Sequence, residues 1–131
     1  MDEHPTEHPV RSLRELRNGL LRLHKLLLDR ECGHYQREHG PVESEHALLG
    51  LVLSHPQFQW LRTLSELIVN IDESLEDGEH TAEPEELFVQ ARELLAFEAP
   101  GTEFQQRYAA ARDADPNILV ESSTLYRLLR E

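Results

Sequence analysis

The chain has 131 residues, of which 39 % are hydrophobic and 29 % charged. That length fits one domain with its own apolar core, and that composition excludes an intrinsically disordered chain and a membrane-embedded one. Thirteen Lys and Arg against 25 Asp and Glu leave a formal net charge of −12, which repels phosphate backbones and anionic lipids and so argues against nucleic-acid and membrane partners.

Positions 1–9 hold two prolines, two histidines (His4 and His8) and three acids without apolar periodicity. They read as a flexible tail ahead of a helical domain over 10–131. The start lacks the basic and apolar stretches of a signal peptide. The single cysteine, Cys32, has no internal partner for a disulfide. Both features set the expected location as cytoplasmic.

A first long helix is expected from Val10 to His39, with Leu13, Leu16, Leu20, Leu23, Leu27 and Leu28 at helical spacing. Gly19 and Gly33 weaken it without breaking it, and Gly40-Pro41 stops it. Ser44 is a good N-cap for a second helix through Leu53. This helix is apolar on nearly every side, which predicts burial all round, across the interior or one end of the molecule. Ser54 and Gln57 match a capping box with Pro56 in the first turn. They open a third helix to about Glu76, with Trp60, Leu61, Leu64, Leu67, Ile68, Ile71 and Leu75 inward, ended by Asp77-Gly78. The fourth opens over Thr81 to Glu85 and turns Leu87, Ala91, Leu94 and Leu95 to the core. Pro100-Gly101 makes a turn. Thr102 with Gln105 is a second capping box, for a fifth helix with Phe104, Tyr108 and Ala111 inward. Asp115-Pro116 opens the sixth, lined by Ile118, Leu119, Ser122, Leu125, Tyr126 and Leu129. Short loops favour antiparallel neighbours. The expected fold is therefore an all-α, single-domain antiparallel bundle, with helices one, three, four and six long and helices two and five shorter.

Chemistry is most suggestive on the first helix. At about 100° per residue, His24, Glu31, Tyr35 and Glu38 project within roughly 40° of the line that carries Leu20 and Leu27. A buried carboxylate must be protonated, paired or metal-bound. These residues, with Arg62 and Tyr126 as partners from facing helices, are candidates for a polar core network or a ligand pocket. The bland alternatives are a wet helix end and a core histidine satisfied by a neighbouring carbonyl or hydroxyl. Glu31 to His34 and Glu43 to His46 both match the Glu-x-x-His spacing of carboxylate-bridged di-metal bundles. However, Glu43 lies outside a helix capped by Ser44, and His34 projects roughly 60° from Glu31. No metal and no cofactor is therefore expected; were a metal bound, Glu31, His34, Glu43 and His46 would be its first candidates. Cys32 beside Glu31 is a poor nucleophile, because a carboxylate disfavours the thiolate. No Gly-x-Ser-x-Gly, P-loop or dinucleotide fingerprint is present, so no catalytic residue is assigned.

The stretches LHKLLLDRE (Leu23 to Glu31), REHGPV (Arg37 to Val42) and WLRTLSELIVNIDE (Trp60 to Glu73) resemble a small family of bacterial hypothetical proteins described only as a domain of unknown function. The resemblance runs from about Leu20 to the C-terminus. It implies a bacterial, cytoplasmic, all-α protein and carries no activity. In that family the ground around Cys32 to His34 reads differently, which leaves His24, Glu31 and Tyr35 as the better site candidates.

Two readings of function follow. In the first the chain is a non-enzymatic interaction or regulatory protein that binds a protein partner or itself. In the second it is a small-ligand or metal-binding bundle centred on His24, Glu31 and Tyr35. A pocket lined by those side chains would favour the second; a continuous exposed apolar patch, from Leu48 to Leu53 with Phe58 and Trp60, would favour the first.

Overall fold

The structure is a computed structural model, and it describes residues 7–77, 83–95 and 101–130. Six α-helices and one 3₁₀ turn, with no strand, make up the described residues: α1 (Glu7–His39), α2 (Glu45–Ser54), the 3₁₀ turn (Pro56–Leu61), α3 (Arg62–Asp77), α4 (Pro84–Leu94), α5 (Glu103–Ala114) and α6 (Pro116–Arg130). The protein is all-α.

Helix α1 is the axis of the molecule. Leu13, Leu16, Leu20, Leu23 and Leu27 are fully buried along one stripe, against α6, α3, the 3₁₀ turn and α4. It begins at Glu7, before the expected Val10, because Pro9 in the first turn needs no hydrogen-bond acceptor for its nitrogen. Positions 1–6 of the expected tail lie outside the described residues, as do Gly78, Thr81 and Pro100 from the predicted helix ends and turn. Gly40 ends α1 at φ +91° and donates its N–H to the Gln36 carbonyl at 2.9 Å, the left-handed stop that glycine favours. The Gln36 side chain then accepts the Val42 N–H at 3.0 Å, tying the loop back to the helix.

Three helix starts match their predicted chemistry. Ser44 accepts the Ala47 N–H to open α2; Thr102 and Gln105 form a complete capping box for α5; Asp115 precedes Pro116 and accepts the Asn117 N–H at 2.9 Å. The fourth start differs. Ser54 is the last residue of α2 and donates to the Gly50 carbonyl at 2.8 Å. His55 is the cap instead, its Nδ1 accepting the Gln57 N–H at 3.1 Å. The expected third helix consequently divides into a 3₁₀ turn and α3. Over the described residues α4 spans 11 residues and α5 spans 12, so α4 is not the longer of the two.

The core joins the inner faces of α1, α3, α4, α5 and α6 and takes in Trp60 and Leu61 from the 3₁₀ turn. Most predicted inward residues on α3, α5 and α6 are buried, Leu75 and Tyr126 are half-buried, and Leu119 is exposed on α6. Ser122 is fully buried there, with its Oγ 2.6 Å from the Tyr108 hydroxyl. Tyr126 donates its hydroxyl to the Leu95 carbonyl at 2.6 Å and lies 3.2 Å from that of Tyr108. This chain of hydroxyls joins α5, α6 and the end of α4. Burial, and then the Tyr108 hydroxyl, push the Tyr126 phenol well above its ordinary range.

Helix α2 stands apart. It was expected to be buried on all sides, yet none of its residues is buried, and it packs chiefly on the 3₁₀ turn. Leu49 is 53 % exposed and Leu53 66 %, and Val69 on α3 is 52 % exposed. The apolar faces of α1, α3, α4, α5 and α6 satisfy one another, leaving no interior space for a sixth apolar element.

Candidate functional site

Glu31 sits where the leucine stripe of α1 meets the 3₁₀ turn, and only 8 % of it is exposed. Its carboxylate accepts the Trp60 indole N–H at 3.0 Å through Oε1 and the Gln57 amide at 2.9 Å through Oε2. Both donors are neutral and come from one turn, three residues apart. The pairing follows from what each group needs: a buried indole N–H seeks an acceptor, and a buried carboxylate seeks donors. Gln57 is free for this because His55, not Gln57, caps the turn. The partners named from sequence are elsewhere. Arg62 points to the surface and meets Glu66 at 3.7 Å, while Tyr126 belongs to the hydroxyl chain described above.

His24, two turns earlier on α1, is half-buried and its Nε2 lies 2.9 Å from Ser65 Oγ on α3. Ser65 Oγ is also within 3.3 Å of the Leu61 carbonyl. The hydroxyl has one proton, so it serves either the carbonyl or the imidazole, and the histidine tautomer follows. Burial lowers the His24 pKa below its ordinary value. His24 and Glu31 thus hold adjacent parts of the same facing segment, through separate hydrogen bonds.

Tyr35 closes the end of α1. Its ring lies 4.5 Å from that of His39, 5.3 Å from His55 and 6.1 Å from Phe58, centroid to centroid. This aromatic cluster seats the C-terminal turn of α1 on the start of the 3₁₀ turn. Glu38 is exposed, with its carboxylate 3.7 Å from His39. Cys32 accepts a long contact from the Gln36 amide at 3.7 Å. Among the described residues, no three His, Cys, Asp or Glu side chains are grouped to hold a metal ion. Glu31, His34, Glu43 and His46 are therefore not brought together; Glu43 and His46 stand exposed around the start of α2.

The Ser65–His24 pair has the look of a nucleophile and its base. Catalysis of acyl transfer also needs an oxyanion hole and an orienting group on the second ring nitrogen. Ser65 lies within α3, where backbone N–H groups serve the helix, and no carboxylate bonds His24 among the described residues. The pair joins α1 to α3.

Sequence reasoning missed Gln57 and Ser65 as partners. Trp60 falls on the expected core face, and the need of a buried indole N–H for an acceptor is the signal that could have led to Glu31. The distances of 29 residues to Trp60 and 41 from His24 to Ser65 left no local signal for the actual contacts.

Two grooves open beside this assembly. One, about 270 Å³, lies between α2 and α3 and is lined by Val52, Leu53, Phe58, Leu61, Ser65 and Val69 among others, Arg62 included. The second, about 580 Å³, runs between the 3₁₀ turn and α3 on one side and α4 and α5 on the other. Neither is lined by His24, Glu31, Tyr35 or Glu38. Among the described residues no helix is long and apolar enough to cross a membrane. Compared with known protein families, characterised proteins and solved structures, the chain matches none.

Proposed function

We propose that this chain is a non-enzymatic helical interaction protein of a regulatory kind, folded as one antiparallel bundle and self-associating through α2. The observation that carries the reading is an apolar ten-residue helix without one buried residue. Leu49, Leu53 and Val69 make a patch of the kind that marks protein contacts. Its seat is firm, because Glu31 binds two side chains of the turn that carries α2. From Ala47 to Leu53 it has no charged side chain, so two copies meet there without burying charge. Elsewhere a net charge of −12 per chain opposes contact between copies. Small interfaces of this kind give weak, reversible pairs, with Kd values of roughly micromolar order.

A ligand pocket at His24, Glu31 and Tyr35 has less support, since protein donors already occupy both Glu31 oxygens. The bacterial family resemblance, the cytoplasmic location and the absence of nucleic-acid and membrane partners belong to this proposal as well. Equilibrium sedimentation tests it. The expected result is a concentration-dependent rise from 15.2 kDa toward twice that mass, abolished in Leu53→Glu. A native chain that stays monomeric up to about 100 µM, well above the expected Kd range, overturns the self-association.

A further inference from the structure

The larger groove, about 580 Å³, is of a size that accepts a small molecule or a short peptide segment. Its floor is the outer edge of the core: the Trp60 and Phe104 rings lie 5.6 Å apart and are only 8 % and 4 % exposed, with buried Leu67 and half-buried Leu94 beside them. Its walls bear Glu66 on α3, Glu93 on α4 and Glu103 on α5, and among the described residues no Lys, Arg or His lines it. Glu66 and Glu103 have surface arginines within their own helices, whereas the Glu93 carboxylate has no ion-pair partner among the described residues. Asn70 on α3 and Gln90 on α4 face the groove with no side-chain hydrogen bond among the described residues. The floor tolerates a cation nearby: the Arg107 guanidinium sits 6.0 Å from the Trp60 ring centroid.

We propose that this groove binds a basic segment of a partner protein, its Arg or Lys side chains meeting Glu66, Glu93 and Glu103 and its apolar side chains meeting half-buried Leu94 and the exposed edges of Trp60 and Phe104. The charge of the walls selects a cationic occupant, the floor selects one with apolar side chains, and Asn70 and Gln90 offer hydrogen bonds to an extended backbone. A second copy of this acidic chain is a poor occupant on the same ground. The inference goes beyond self-association through α2 and does not rest on it.

Trp60 is the sole tryptophan, so its emission reports on the groove directly. The probe is a ten-residue peptide of alternating arginine and leucine, followed by Trp60 emission and, with a fluorescein label, by anisotropy. Controls are the same peptide with glutamate in place of arginine, and spermine. The expected result is one basic peptide per chain with a change in Trp60 emission, and no binding of the acidic peptide. Glu93→Gln with Glu103→Gln should weaken binding at least about fivefold, the scale of two partly exposed ion pairs. Glu15→Gln with Glu38→Gln, which changes the net charge equally but outside the groove, should change it less than about twofold. Equal weakening by the two double variants shows diffuse attraction to an acidic protein and overturns the site. So do unchanged Trp60 emission, absence of peptide binding, or tighter binding of spermine than of the peptide.

Discussion

At the scale of single residues, the Glu31 carboxylate and its two neutral donors account for the attachment of the 3₁₀ turn. A hydrogen bond to a charged group contributes about 1.5–3 kcal/mol. Trp60→Phe removes the N–H together with part of the buried ring, so urea unfolding should show a loss of at least about that size. In Glu31→Gln the same substitution should cost less, because the bond it removes is no longer charge-assisted; additive losses would mean that the contact contributes nothing. His24 gives a pH signature with a definite sign. Burial lowers its folded-state pKa below the ordinary 6.5, so the unfolded chain binds the proton more readily. The stability contributed by the neutral, buried imidazole is present above about pH 6.5 and is lost as pH falls through the lowered folded-state value. Native protein should therefore lose stability between pH 7.5 and 5.5 more steeply than His24→Gln does, by urea midpoints. Parallel profiles would remove His24 as the cause. That both residues face the helical neighbours was legible in their spacing against Leu20 and Leu27. Their partners were not, since hydrogen bonds across 29 and 41 residues of chain depend on how elements pack.

Among the elements, α1 packs closely on α6 at Gly19. A Cβ placed there would stand 2.6 Å from Leu125 Cδ2 and 3.3 Å from its Cγ, and Leu125 is buried. From sequence Gly19 reads only as a weak point in a helix, where alanine would gain about 1 kcal/mol. Overpacking a filled core costs about 1–3 kcal/mol, and here it should win. Gly19→Ala is expected to lower the unfolding free energy, and to be less harmful when Leu125→Ala has opened the space. A stabilised Gly19→Ala would mean that the helices separate freely at this point. The capping of α5 by Thr102 and Gln105 was readable because each partner lies within one turn. Ser54 and Gln57 fit the same template and failed, because an imidazole nitrogen at His55 competes for the cap and Gln57 is drawn away to Glu31. Residue type placed α2 inside the molecule and the structure places it outside. Periodicity tells which face of a helix is apolar; whether anything covers that face depends on the other helices, and a helix apolar all round has no single face to match.

Across the whole molecule, an excess of 12 negative charges acts on the two proposed contact surfaces with opposite sign. Two chains meeting at α2 bring like net charges together around an uncharged patch. Salt screens that repulsion, with a Debye length of roughly 10 Å at 0.1 M, and leaves apolar burial intact. A basic segment in the groove between α3, α4 and α5 gains from the acidic field, and salt removes that gain. Raising sodium chloride from about 0.05 M to about 0.5 M, a range that shortens screening several-fold, should therefore strengthen dimerisation and weaken binding of the arginine–leucine peptide. Sedimentation and peptide anisotropy on the same protein preparation read both. A dimer that loosens with salt would be held by charge, which α2 does not carry between Ala47 and Leu53, and the interface would have to lie elsewhere. Peptide binding that ignores salt would place the peptide on an apolar surface such as α2 and not between Glu66, Glu93 and Glu103. The opposed responses also guard against a shared artefact, since general aggregation at high salt would strengthen both signals together.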